Sequence, residues 1–244
     1  MPAIMPRSPA QAQTEVIYPS GDGQPVAETF DHLYALFVTL EILRQYLSDR
    51  RATVLGNQFL YYAENFPRLR VAPDVMVIFD VEPGGRDNFK VWEEGAIPAV
   101  VFEMTSAGTR QKDELSKYEL YEGLGVTEYW QFDPKQEWIP EQLRGYRLVG
   151  NSYGPITDGV STVLQLRLVA EGTLIGFYDL ATGQRLLNPE DLKQRLEQAA
   201  QRAEAEAQRA DKAAQRAERL AAQLRALGVD PDGETASESS PGSP

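Results

Sequence analysis

Three side chains in the middle of the sequence have the types and the order that metal-assisted hydrolysis needs. Asp74 follows Pro73 inside an apolar run, Glu103 lies in the apolar stretch of residues 97–105, and Lys117 follows on a predicted helix. A carboxylate inside a buried strand is costly unless it meets a metal, a proton or a partner. Two carboxylates, water and a substrate phosphate form a site for a hard cation such as Mg²⁺ or Mn²⁺. A cation there polarises a phosphodiester and lowers the pKa of an attacking water.

Two predicted strands decide whether the acids meet. Every second side chain of a strand points to the same face, so Asp74 and Glu103 converge if residues 68–81 pair with residues 97–105. Proline at position 73 indicates an edge, a bulge or a break in the first of these strands.

The helix after Glu103 carries the lysine. Asp113, Lys117, Leu120, Tyr121 and Leu124 lie along one stripe, and its two leucines predict that the stripe faces the sheet. A lysine there needs an anion, and Glu103 is the nearest candidate. Its ammonium would hold the attacking water or offset charge in the transition state.

Plainer interpretations stand beside each of these. Asp74 is also suited to cap a turn, and Glu103 to face water from an edge strand. Asp113 and Lys117 also have the spacing of an ordinary surface pair on a helix. The functional interpretation depends on all three side chains falling in these elements in this order.

The remaining elements follow from periodicity and turn residues. Residues 28–49 carry an apolar stripe at helical spacing, formed by Phe30, Leu33, Phe37, Leu40, Leu43 and Leu47. His32, near the start of this helix, is predicted to be a satisfied or solvated helix histidine. Thr109 is the predicted N-cap of the second helix. The predicted strands are residues 52–63, 68–81, 97–105, 128–133, 145–149, 163–170 and 173–178, and residues 82–95 and 152–159 are predicted loops.

Composition limits the chemistry and the partners. The chain carries a net charge of −12, of which −9 falls before residue 190, so avid non-specific nucleic-acid binding is disfavoured. The absence of cysteine excludes disulfides, thiol nucleophiles and thiolate metal sites. A single histidine leaves oxygen ligands for any metal. Neither a membrane span nor a secretory signal is evident, which predicts a cytoplasmic protein.

The C-terminal part repeats alanine at heptad spacing. Leu196, Ala200, Ala203 and Ala207 begin a series that continues to Leu224 at steps of four and three residues. Alanine favours the helix but buries little area in a seam, so a weak coiled coil and a solitary solvated helix both remain open.

The motifs VAPDV, VVFEMTSAGT and GVTEYWQFDP, with the spacing of Asp113, Lys117 and Tyr121, resemble those of the Uma-two family. These restriction endonuclease-like proteins are abundant in cyanobacteria and belong to the PD-(D/E)XK nuclease superfamily. The resemblance covers residues 18–191. It implies an α/β (α+β) fold with an αβββαβ core and a mixed sheet, flanked by peripheral antiparallel strands and the long alanine-rich helix.

The resemblance also implies a divalent-metal site for phosphodiester hydrolysis. Asp74 matches the family's Pro-Asp acid and Glu103 the acid of the next motif, so both would bind the metal. The superfamily lysine would fall at Thr105, whereas the family carries a lysine on the next helix, which Lys117 matches. A further acid on the first helix would be Glu28 or Glu41, and Ser106 would hold a local turn or helix start.

These expectations divide the chain and the possible functions. Residues 1–17 form a flexible arm, 18–189 the nuclease-like domain, 190–227 the heptad helix and 228–244 a disordered tail. The first functional hypothesis is a Mg²⁺-dependent DNA endonuclease. The alternative is a catalytically weak or inactive nuclease-fold interaction protein that forms homo-oligomers through the C-terminal helix. A third is a protein that binds nucleic acid without cutting it. The observation that discriminates between these hypotheses is whether basic residues gather near Asp74. The candidate basic residues are Arg68, Arg70, Arg110, Lys112, Arg144 and Arg147.

Overall fold

The computed structural model of this chain describes residues 16–21, 23, 28–105 and 113–228. The chain divides into two compact units, Met1–Pro189 and Glu190–Pro244. The predicted arm and tail lie almost entirely outside the described residues, as do Ser106 and the predicted N-cap Thr109. The predicted domain assignment stays a prediction.

Four helices and twelve strands make up the described residues. The helices are α1 (Phe30–Tyr46), α2 (Val91–Glu94), α3 (Asp113–Leu124) and α4 (Pro189–Ala226). The strands are β1 (Ala52–Gly56), β2 (Leu60–Tyr61), β3 (Arg70–Val71), β4 (Val75–Phe79), β5 (Phe89–Lys90), β6 (Val100–Met104), β7 (Glu128–Phe132), β8 (Leu143–Val149), β9 (Ser152–Ile156), β10 (Val160–Ser161), β11 (Leu166–Glu171) and β12 (Leu174–Asp179).

A mixed six-stranded sheet forms the centre of the first unit. Its order is β1-β4-β6-β7-β8-β9, and its one parallel pair is β6 with β7. Parallel neighbours need a crossover connection, and α3 lies in that connection. The succession α1, β1, β4, β6, α3 and β7 confirms the predicted αβββαβ core and the α/β class. Two three-stranded sheets accompany it. The sheet β10-β11-β12 is antiparallel, whereas in β3-β2-β5 the strand β2 pairs antiparallel with β3 and parallel with β5.

Each face of the central sheet packs into its own apolar core. On one face, Leu43 of α1 and Phe102 of β6 belong to a cluster that includes Phe177 of β12. On the other face, Val101 of β6 packs with Tyr121 of α3. Both faces are therefore covered around β6, which explains why every residue of that strand is buried.

The first helix is confirmed, but its buried face differs from the apolar stripe seen in the sequence. Thr29 caps it, accepting a hydrogen bond from the His32 amide at 3.4 Å. Phe30 and Phe37 belong to the predicted stripe, yet they are 76% and 56% exposed. The helix is apolar over a wide arc and the sheet covers only part of it, so packing decides which apolar residues are buried.

Two long predicted strands are broken where the backbone turns. The first ends at Gly56 because Asn57 takes a φ of +51°, and the chain resumes as β2. The second is interrupted between β3 and β4 at Pro73 and Asp74. This break at the proline agrees with its lack of an amide donor.

Residues 152–159 were predicted as a loop, and this was wrong. They contain β9, the outermost strand of the central sheet, paired antiparallel with β8. Gly154 and Pro155 favour turns in a sequence. At a sheet edge, however, proline is tolerated because one side of the strand needs no partner.

The second unit is dominated by α4, which spans 38 residues. It has no buried residue, and Leu196, Leu220 and Leu224 are 70%, 52% and 39% exposed. Its heptad association stays a prediction. None of the helices in the described part of the chain is long and apolar enough to cross a membrane.

Candidate active site

Asp74 occupies the break between β3 and β4. Its backbone carbonyl and that of Pro73 both accept from the Asn57 amide, at 3.1 and 3.0 Å. Its carboxylate Oδ2 accepts from the Met104 amide at 2.6 Å. The ladder of β4 and β6 pairs Val75 with Phe102, so one step further the same register sets Asp74 opposite Glu103.

Glu103 lies in the middle of the sheet, 7% exposed, with both carboxylate oxygens engaged by α3. Lys117 Nζ is 2.8 Å from Oε2, and the Tyr121 hydroxyl donates to Oε1 at 2.6 Å. Lys117 and Tyr121 are one helical turn apart, so one face of α3 supplies both contacts. The structure thus brings together Asp74, Glu103 and Lys117, as their order in the sequence predicted.

The sequence identified Tyr121 as part of this stripe without assigning it a partner. Burial of the Tyr121 hydroxyl, together with the charge and hydrogen bond of Glu103, raises its pKa well above 10. The tyrosine therefore remains a neutral donor across the range in which the protein would work. It fixes one oxygen of Glu103 while Lys117 fixes the other.

Burial raises the pKa of the Glu103 carboxyl from 4.5 to about 7. The Lys117 charge and hydrogen bond and the Tyr121 hydrogen bond act in the opposite direction, whereas the Asp74 charge raises the pKa further. Desolvation outweighs the ion pair because the carboxylate is almost completely withdrawn from water. The two acids are therefore electrostatically coupled across the strand pair.

This raised pKa predicts that the free energy of unfolding falls as pH rises from about 4.5 to about 7. The unfolded chain releases the proton near 4.5, whereas the folded chain keeps it up to about 7. The stabilisation is fully present below the lower value and lost above the higher one, by about 3 kcal/mol at most. Urea unfolding of the wild type and of Glu103→Gln at pH 5 and pH 8 measures it. Equal pH dependence in the two proteins would contradict the prediction.

His32 is a member of the site that sequence reasoning missed. Its Nε2 is 3.7 Å from Asp74 Oδ1, and its Nδ1 is 3.5 Å from Glu28 Oε2, beyond hydrogen-bonding geometry. Burial lowers the His32 pKa, but the nearby carboxylate of Asp74 and the charges of Glu28 and Glu103 raise it by more, so the pKa lies above its ordinary value. The imidazole is buried rather than solvated. The four-residue spacing of Glu28 and His32 was the available signal.

The two acids proposed for the first helix have different positions. Glu41 is 54% exposed and pairs with Arg44 on the surface. Glu28 precedes α1 and approaches the site through His32. Of the two, Glu28 is therefore the one associated with Asp74.

In the described part of the chain, the basic candidates contact different partners. Arg70 stacks over the Phe59 ring at 4.3 Å, and Arg147 binds the buried Glu128 at 3.1 Å. Arg144 donates from Nε to Gln131 Oε1 at 2.6 Å, and Gln131 pairs with Glu103 in the sheet. Arg68 is exposed between β2 and β3, while Arg110 and Lys112 lie outside the described residues.

No group of three or more His, Asp or Glu side chains in the described ranges is arranged to hold a metal ion. Asp74 and Glu103 would supply two carboxylates to such an ion. Mg²⁺ commonly takes one or two protein carboxylates and fills its other positions with water and substrate phosphates.

Among the comparisons with known proteins, the match to a family model supports the sequence-based resemblance. No curated protein matches this chain significantly. A crystal structure titled as a "putative nuclease belonging to DUF820", from Anabaena variabilis ATCC 29413, is similar with a TM-score of 0.40 and 15% sequence identity, covering 71% of this chain and 87% of that chain. The family model described as "Uma2: Putative restriction endonuclease" matches residues 7–173. This chain belongs to the Uma2 family.

Proposed function

We propose that this protein is a Mg²⁺- or Mn²⁺-dependent DNA endonuclease. Its active site, formed by Asp74, Glu103 and Lys117, would hydrolyse phosphodiester bonds of the DNA. The observation that carries the proposal is the Lys117–Glu103 contact of 2.8 Å, made beside the strand neighbour Asp74. Membership of a family described as restriction endonucleases favours nucleic acid as the substrate class.

The two acids fit a hard divalent cation. Their donors are all carboxylate oxygens, and the Asp74 charge contributes to the raised pKa of Glu103. A positive charge shared by both carboxylates would relieve this repulsion. The bound cation would polarise the phosphodiester and lower the pKa of the attacking water.

One backbone amide and two side chains of the protein hold these two carboxylates in position. The Met104 amide fixes one oxygen of Asp74, and Tyr121 and Lys117 fix the two oxygens of Glu103. The Lys117 ammonium either holds the attacking water or offsets the negative charge that develops on the phosphoryl oxygens. Such preorganised groups need no rearrangement during the reaction.

The test is isothermal titration of Mn²⁺ and of Mg²⁺ into the wild type, Asp74→Asn, Glu103→Gln and the control Glu41→Gln. Each titration is made without and with a non-cleavable DNA duplex, because substrate phosphate can complete such a site. We expect the wild type and the control to bind metal, and the two site variants to bind at least about tenfold more weakly. A wild type that binds no metal even with the duplex would overturn the proposal.

The second candidate is a nuclease-fold interaction protein that assembles through α4. The long helix with exposed leucines and a heptad alanine pattern favours this alternative. Light scattering would compare the full chain with a chain ending at residue 189. Oligomers that require α4, together with no metal-dependent cleavage, would favour this candidate over the endonuclease.

A further inference from the structure

We propose that Arg144, positioned by Gln131, binds a phosphate of the substrate strand about three nucleotides from the phosphate that is cleaved. The proposal rests on the proposed function, because it takes the substrate to be nucleic acid bound at Asp74 and Glu103. It assigns a substrate contact to one arginine and a positioning role to one buried amide.

The sheet register connects these residues to the acids. Glu103 pairs with Gln131 across β6 and β7, and Gln131 pairs with Arg144 across β7 and β8. With Asp74, they form a row across four adjacent strands. Neighbouring strands are about 4.8 Å apart, which puts the Arg144 backbone about 10 Å from that of Glu103. At about 3.4 Å per nucleotide along a duplex strand, this distance corresponds to about three nucleotides.

Burying the polar side chain of Gln131 at its position costs free energy. It is 3% exposed in a strand whose neighbouring residues Trp130 and Phe132 pack in an apolar core, and a buried amide is costly unless it is hydrogen-bonded. Both of its ends are paired: Nε2 donates to the Tyr129 hydroxyl at 2.8 Å, and Oε1 accepts from Arg144 Nε at 2.6 Å. The Gln131 side-chain amide therefore orients the Arg144 guanidinium through this hydrogen bond.

Arg144 has the chemistry that a phosphate contact requires. A guanidinium is permanently charged, and its planar donors match phosphate oxygens. The hydrogen bond to Gln131 holds its plane in one orientation. Because the chain before residue 190 carries −9, binding a polyanion depends on local cations near the site. Arg147, three residues along β8, binds Glu128.

The experiment measures binding of a short labelled DNA duplex by fluorescence anisotropy across a salt series, with Ca²⁺ present. The full chain is compared with Arg144→Ala, Arg144→Lys and the control Arg167→Ala, which removes an exposed arginine of β11. Arg144→Ala is expected to weaken binding about tenfold and to reduce the slope of log Kd against log salt by about 1. Arg144→Lys should keep the slope, and the control should change neither quantity.

The positioning role of Gln131 is tested by a double-mutant cycle. Gln131→Met removes the hydrogen bonds and keeps an unbranched side chain. It is expected to weaken duplex binding about threefold when Arg144 is present and to have no effect in the Arg144→Ala background. A merely structural role of Gln131 would weaken binding equally in both backgrounds and would overturn this part of the proposal.

The outcomes separate this proposal from the proposed function. An unchanged salt slope in Arg144→Ala, or no duplex binding by the wild type, overturns the Arg144 assignment. Cleavage is measured separately in Mn²⁺. An Arg144-dependent slope without any cleavage would support the phosphate contact and reject the endonuclease. Cleavage by the wild type, together with a salt slope that Arg144→Ala leaves unchanged, would support the endonuclease and reject the phosphate contact.

Discussion

Replacing Glu103 by glutamine is expected to lower the rate of Mn²⁺-dependent DNA cleavage by about a thousandfold. The amide keeps the shape of the side chain and can still accept from Tyr121 or Lys117, but it cannot supply the negative charge that a divalent cation needs. Initial rates of nicking of a supercoiled plasmid measure the effect.

The matched control for this variant is Glu41→Gln. Glu41 is the other acid that sequence reasoning connected with the site, but it is 54% exposed and pairs with Arg44. Its replacement is expected to leave cleavage unchanged. Equal rates for Glu103→Gln and the wild type, in a protein that cleaves, would remove Glu103 from the proposed mechanism.

Replacing Lys117 by methionine is expected to affect both cleavage and folding. Cleavage should fall by about a hundredfold, because the ammonium that holds water or offsets phosphoryl charge is lost. The free energy of unfolding at pH 8 should fall by about 1 kcal/mol, because without its cationic partner the buried Glu103 keeps a proton at pH 8, one pH unit above its wild-type pKa of about 7.

The pH dependence of this variant follows from the same contact. Lys117 lowers the pKa of Glu103, so its removal raises that pKa further above the ordinary value. At pH 5, Glu103 is then protonated in the folded chain, and most of the loss in stability should disappear. As pH rises past about 7, the pKa of Glu103 in the folded wild type, the loss in the free energy of unfolding should return. Chemical unfolding at pH 5 and pH 8 checks this.

Two further variants make the result interpretable. Lys135→Met removes a lysine that is 42% exposed and 3.8 Å from Asp31, and it should change stability by less than about 1 kcal/mol. The double variant of Glu103→Gln with Lys117→Met removes the buried carboxylate as well, so it should regain stability at pH 8 while remaining inactive. An equal loss of stability at pH 5 and pH 8 in Lys117→Met would mean that the lysine acts through packing alone.

The order of the central elements and the facing of the candidate residues were determined by the sequence alone. Alternation put Glu103 on one face of its strand, and helical spacing put Lys117 and Tyr121 on one face of the next helix. These are local periodicities. Such periodicities fix which residues share a face, whatever that face packs against. The face of α3 that carries Lys117 and Tyr121 contacts Glu103 of the sheet, as the leucines of that stripe predicted.

Only the tertiary structure decided which distant residues join them. His32 reaches Asp74 across 42 positions of sequence, and its own helix gave no indication of that neighbour. Gln131 and Arg144 come beside Glu103 through strand order and register. Strand order depends on how whole elements stack, which a single-residue pattern does not encode.

The same distinction explains the errors in the sequence-based prediction of the fold. Phe30 and Phe37 have the apolar character and spacing of core residues, but the sheet covers only part of the apolar arc of α1, including Leu40 and Leu43. Gly154 and Pro155 have the character of a turn, but the adjacent edge of β8 recruits them into β9. In both cases local preference is worth a fraction of a kcal/mol to about 1 kcal/mol per residue. Packing and ladder hydrogen bonds, summed over a whole element, outweigh this local preference. The sequence therefore determined the elements and their faces, whereas long-range packing decided which of those faces meet at Asp74 and Glu103.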